Sequence, residues 1–180
     1  TRTFEVTVTP DGDTPTLDTI ADVTIDEDAS EQTVNLAGIT AGGGETQPLR
    51  VTAVSSYAEL LTGPTVFYTS GDTTGTLKFT PVADEHGDTE ITVTVEDGGL
   101  DGDLDTSADN GTFSRTFDVI VNPINDVPTI NAIVDVTIDE DASEQTVNLT
   151  GVTAGGGEVQ PMLVSASSSN SSLIGQVTVD

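Results

Sequence analysis

Oxygen donors crowd this sequence at a few places. Asp26, Glu27 and Asp28 form one run and Asp139, Glu140 and Asp141 another. Glu96 and Asp97 are followed by Asp101, Asp103, Asp105 and Asp109, while Asp11 and Asp13 stand in one apparent linker and Asn125 and Asp126 in a second. Carboxylates and amides gathered in short loops suit a hard cation, because Ca²⁺ takes about six to eight oxygen ligands whereas Mg²⁺ keeps much of its water. Zinc would ask for histidine or cysteine, and the chain has one His and no Cys. Calcium is therefore the expected cofactor, since crowded carboxylates without a counter-charge repel one another. Any one Asp-Glu-Asp run taken alone reads more simply as a solvated, charged turn. Asp101, Asp103 and Asp105 match the first three acidic positions of an EF-hand loop, but Thr106 stands where that loop has its glycine and Thr112 where it has its last glutamate. The segment reads either as a separate, weaker calcium loop or as a flexible acidic hairpin.

Other chemistries find little footing. There are 31 acidic residues against 4 basic ones, a formal charge of -27, so phosphate-bearing partners such as nucleic acid or an anionic membrane would be repelled. No apolar run approaches the roughly 20 residues of a membrane span, and membrane insertion is not expected. Gly42–Gly44 and Gly155–Gly157 lack the lysine and helix of a phosphate loop and read as wide turns. His86, the one histidine, reads as a solvated turn residue, and no nucleophile and base pair has a sequence signature. No enzymatic activity is expected.

The elements that must position these acids follow from a repeat. Asp22–Leu36 recurs without change at Asp135–Leu149, and between 22–49 and 135–162 only positions 37, 39, 46 and 49 differ from their counterparts 113 residues on. The same offset aligns Thr1–Leu17 with Ser114–Ile130. Such a period is much longer than a solenoid repeat and fits a whole β-sandwich of about 100 residues. Apolar residues alternate with polar ones at Phe4, Val6 and Val8, at Ile91, Val93 and Val95, and at Phe117, Val119 and Val121, the pattern of half-buried strands. Shorter strands are expected at 23–25, 33–36, 49–54 and 76–80. The fold class is all-β, in tandem antiparallel sandwich modules. Residues 1–9 read as the last strand of a preceding module, 10–15 as a linker, 16–122 as a complete module, 123–128 as a second linker and 129–180 as the first half of a following module. That half would need its continuation, or strands from a neighbour, to cover its open edges.

The linker NPINDVPTI at 122–130, the sequence VEDGG at 95–99 and IDED at 25–28 together resemble the cadherin-like and immunoglobulin-like tandem repeats of giant bacterial surface proteins and adhesins, over essentially the whole chain. The resemblance implies an extracellular, cell-surface location and calcium seated between adjacent modules. By motif it implicates Glu27, Asp97, Asn125, Asp126 and Glu140 as ligands. The linker departs from the cadherin pattern Asp-x-Asn-Asp-Asn-x-Pro, with Pro123 at the first acid and only Val127 between Asp126 and Pro128. The expected function is a structural or adhesive arm or fibre, stiffened by calcium at its junctions. Its expected partners are neighbouring modules of the same chain and other copies in a fibre. Two alternatives are a filament subunit that exchanges strands with other copies and a glycan-binding module. The latter would rely on Tyr57 and Tyr68, since there is no Trp.

Overall fold

The computed structural model describes residues 2–7 and 11–180. The chain divides into two compact units, Thr1–Ile124 and Asn125–Asp180. The seven strands of the described residues all lie in the first: β1 (Val23–Asp26), β2 (Gln32–Ala37), β3 (Leu49–Ser55), β4 (Leu61–Phe67), β5 (Thr74–Pro81), β6 (Gly87–Asp97) and β7 (Thr112–Asn122). Among the described residues there is no helix, so none that could cross a membrane.

One sheet has the order β1-β7-β6-β3 and the other β2-β5-β4. The threonine and valine of β6 and β7 suit extended backbone, and their alternation sends every second side chain inward. Ile91, Val93, Val95, Val119 and Val121 are buried on one sheet, and Leu36, Leu61, Leu77 and Phe79 on the other, where the two meet as a single core. Leu17 and Ile39, outside the strands, close that core. The result is the expected all-β sandwich, with a difference in one ladder. β1 runs parallel to β7, with Val23 opposite Val119 and Asp26 opposite Asn122, so the sandwich is mixed rather than purely antiparallel. β4 has no clear sequence signal, because Gly63 and Pro64 interrupt its pattern. It survives as an edge strand whose register with β5 shifts between Thr62 and Thr65.

Unit 2 holds the copy of residues 22–36, yet no strand is formed in it. It keeps local features of unit 1. Thr129 bridges Thr153 as Thr16 bridges Thr40, and the Thr129 hydroxyl donates to the Gly151 carbonyl at 2.9 Å as the Thr16 hydroxyl does to Gly38 at 2.6 Å. In unit 1, β1, β2 and β3 pair with β7, β5 and β6 respectively, and unit 2 contains no counterpart of those three. Backbone groups without a ladder partner stay with water, and Val136 and Ile138 remain exposed. For the same reason the strand expected over residues 1–9 is not formed at residues 2–7. Thr1, Val8 and Thr9 lie outside the described residues.

Leu36 and Leu149 occupy the same place in the repeat, but Leu36 is 1% exposed and Leu149 is only partly covered. Leu36→Ala should destabilise unit 1 toward urea by about 2–5 kcal/mol. Leu149→Ala should leave that transition within about 0.5 kcal/mol of the parent.

Candidate cation site

Because β1 and β7 run in parallel, both leave their sheet at the same end of unit 1. The Glu27 N–H donates to the Asn122 carbonyl at 2.9 Å, which carries the ladder one step past β1 and turns the Glu27 side chain into the protein, where it is 2% exposed. Its Oε1 accepts the Ile124 N–H at 2.6 Å. Its Oε2 is buried with no hydrogen-bond partner. His86 Nδ1 lies 3.5 Å away, too far for a good hydrogen bond, and is an ion-pair partner only when the imidazole is protonated. A buried carboxylate left half-satisfied is costly.

Two exposed aspartates stand at the same end. Asp28, in the β1–β2 turn, and Asp84, in the β5–β6 turn, both adopt left-handed backbone, with φ of 62° and 60°, a conformation aspartate tolerates better than most residues. The Asp84 N–H donates to Asp28 Oδ1 at 3.4 Å, and carboxylate oxygens of the two lie within 4.8 Å of one another. Asp26 Oδ1 accepts from the Asn122 amide at 3.3 Å. The sequence singles out Asp26, Glu27 and Asp28 but not Asp84, and it leaves His86 a free turn residue. The acid-rich turn around Asp84 is visible in the sequence; that it folds against a turn 56 residues earlier is not.

Asp97 belongs elsewhere. β6 begins at Gly87, opposite Val121, and ends at Asp97, opposite Leu49. At about 3.3 Å per residue its two ends are roughly 30 Å apart, so Glu27 and Asp97 cannot share an ion, contrary to what the resemblance implies for one ligand set. Asp97 is also 2% exposed, but its Oδ1 accepts the N–H groups of Gly99 at 2.9 Å and Gly111 at 2.8 Å, closing the neck of the β6–β7 loop. Within that loop Asp101 accepts the Asp103 N–H and the Thr106 hydroxyl, Asp103 accepts the Asp105 N–H, and Asp109 accepts the Leu100 N–H. The Thr106 hydroxyl, with the Asp103 amide, holds the Asp101 carboxyl below its usual range. Glu96 is lowered by its hydrogen bond from Arg50 and then by one from Asn110.

The linker acids are held in a way the sequence does not suggest. In unit 1 the Asp13 N–H donates to Glu45 Oε2 at 3.2 Å. In unit 2 the Asp126 N–H donates to Glu158 Oε2 at 3.2 Å as well, and Gln160 donates to both Asn125 Oδ1 and Glu158 Oε2. The glycine runs lie beside these aspartates: a Cβ on Gly43 would run into the Asp13 carboxylate. Asp11 is exposed. Asp139, Glu140 and Asp141 form an exposed turn in which the Ala142 N–H donates to the Asp139 carbonyl at 3.3 Å, and Asp141 repeats the left-handed φ of Asp28.

Of the two tyrosines, Tyr57 is exposed, whereas Tyr68 packs against the core and donates its hydroxyl to the Asp72 carbonyl at 2.9 Å. Phe67 is exposed as well, which its sequence context does not reveal.

No protein-family model matches the chain, and no curated protein matches it. Among solved structures the chain is similar to domains 4 and 5 of the S-layer protein SbsC, with 21% identity and a TM-score of 0.40 over 60% of this chain and 53% of that one. It is also similar to SbsC domains 4–9, with 23% identity and a TM-score of 0.38 over 75% of this chain and 19% of that one. The chain thus spans about half the length of the first of these structures.

Asp97→Ala strands two N–H groups and should cost unit 1 about 2–4 kcal/mol in chemical denaturation, with Asp97→Asn losing less. Thr106→Val should raise the Asp101 carboxyl toward its ordinary value, read from the pH dependence of its side-chain carbon shift.

Proposed function

We propose that this chain is part of a tandem array of β-sandwich modules in an extracellular surface protein, structural rather than catalytic, and that Ca²⁺ stiffens the array. The observation that carries the cation reading is Glu27, a buried carboxylate with one oxygen bonded to the backbone and the other without a hydrogen-bond partner, at the end of the module where Asp28 and Asp84 converge. The donors are all oxygen, as Ca²⁺ prefers. The resemblance makes Glu27 a donor to an ion at this end, which would supply the positive charge that the buried Glu27 lacks, and Asp28 and Asp84, whose carboxylate oxygens lie within 4.8 Å of each other, are further oxygen donors at the same end.

The same end of the module carries Asn122–Ile124, from which the chain runs on into Asn125 and Asp126. The family resemblance adds these two residues, and Glu140 beyond them, as donors. Ions at this position would tie the linker to the preceding module. Pro123 and Pro128 restrict it further. The location at a cell surface and a role in adhesion rest on the same resemblance and on the repeat, an arrangement suited to spanning distance.

Calcium should raise the melting temperature of unit 1 relative to chelator. An ion at a hundred times its dissociation constant contributes about 2.7 kcal/mol. Glu27→Gln should abolish the calcium-dependent part and cost little in chelator, because the amide keeps an acceptor for the Ile124 N–H. An equal calcium response in parent and Glu27→Gln would remove the assignment of this site. Small-angle scattering that is unchanged between calcium and chelator would remove the stiffening.

A further inference from the structure

The chain's single histidine is placed by the same ladders that bury Glu27. Asp26 stands opposite Asn122 on one side of β7, and Gly87 stands opposite Val121 on the other. Glu27 follows β1 and His86 precedes β6, so the two residues flank the end of β7 from its two sides. Thr89 and Ile91 are buried, and regular alternation back along β6 would send the His86 side chain to the outer face. Gly87 interrupts that alternation with a φ of 139°, a backbone conformation open to glycine. His86 instead brings its Nδ1 to 3.5 Å from Glu27 Oε2.

That spacing is too long for a good hydrogen bond, but it suits a shared ion. A neutral imidazole with its proton on Nε2 presents a lone pair at Nδ1, as the ionised carboxylate does at Oε2. Two ligands of one tetrahedral Zn²⁺, with bonds of about 2.0–2.2 Å, stand about 3.3–3.6 Å apart. The carboxylate is already oriented: the Glu27 side chain is 1% exposed, Oε1 accepts the Ile124 N–H, and Oε2 has no hydrogen-bond partner. A hydrogen bond to the far oxygen is how metal sites hold a ligating carboxylate in place. The His86 side chain is 49% exposed, which gives the ion a route from solvent. We propose that His86 Nδ1 and Glu27 Oε2 are two ligands of a Zn²⁺ site whose remaining positions are taken by water.

The assignment rests on the reading of Glu27 as a cation donor and departs from it in the ion. Ca²⁺ takes oxygen ligands, whereas an imidazole nitrogen suits Zn²⁺. One carboxylate thus serves two classes of ion, which compete for it. The acids elsewhere in the chain offer Zn²⁺ no imidazole, since His86 is the only histidine.

For the same reason the imidazole nitrogen signals of the full chain report on His86 alone. In slightly alkaline buffer, where an imidazole is neutral, stoichiometric Zn²⁺ should move the Nδ1 signal into the metal-bound range and leave Nε2 protonated. In calorimetry, Glu27→Gln and His86→Gln should each weaken this binding about tenfold or more, since even the loss of an outer-shell partner costs about that much. Zn²⁺ that leaves the imidazole signals unmoved, that ligates Nε2, or that binds Glu27→Gln as tightly as the parent would overturn the proposal. The Nδ1 signal is read in the parent protein and decides the matter whether or not a variant folds. His86→Gln also separates the two ions. It should keep the calcium-dependent rise in melting temperature, and absence of that rise in the parent would remove the calcium reading without touching the imidazole result.

Discussion

β7 lies between β6 and β1, joined to the first by an antiparallel ladder and to the second by a parallel one. Its inward residues Phe117, Val119 and Val121 are all buried, so one segment near the end of the unit supplies both core and backbone partners to elements formed almost a hundred residues earlier. A parallel neighbour cannot be reached by a hairpin. β1 therefore has its ladder only through β7, almost a hundred residues on. The carboxylate of Glu27 depends on this closure too, since its own N–H is held by Asn122 and its Oε1 holds Ile124.

The two most buried acids of unit 1 show how differently a protein can handle the same charge. Asp97 has two backbone donors on one oxygen and serves as the clasp of a loop. Glu27 has one donor, an imidazole at the margin of contact and an oxygen left over. Such a residual demand is better evidence for a cation than the density of acids around it. In the β6–β7 loop, acids just as dense make hydrogen bonds with the loop's own N–H and hydroxyl groups.

Much of the fold is legible in the order of residues. Alternating apolar residues locate β6 and β7 and the shorter strands β1, β2, β3 and β5, because a period of two reports directly on one face of a sheet. The Asp-Glu-Asp run points to the end of unit 1 where Glu27 is buried. β4 is hidden by Gly63 and Pro64. Asp84 and Glu45 are hidden for another reason: each acts through a residue distant in sequence, and a turn rich in acids has the same composition whether or not another turn folds against it. The grouping of Asp97 with Glu27 fails because motif order along the chain does not tell which end of a strand a residue occupies.

Residues 22–36 and 135–149 divide the two kinds of information cleanly, since they are the same sequence. What the chain determines locally is repeated in both modules: the left-handed aspartates Asp28 and Asp141, the glycine-rich turns, and the threonine bridge that sets each module's entry. What it does not determine locally is whether Val-Thr-Ile-Asp is a strand. With β7 alongside, it is paired and half-buried; without that neighbour the same four residues are exposed and unladdered. Turn conformation is a property of a few adjacent residues, whereas a strand exists only through hydrogen bonds to another segment. The tertiary structure alone decides that.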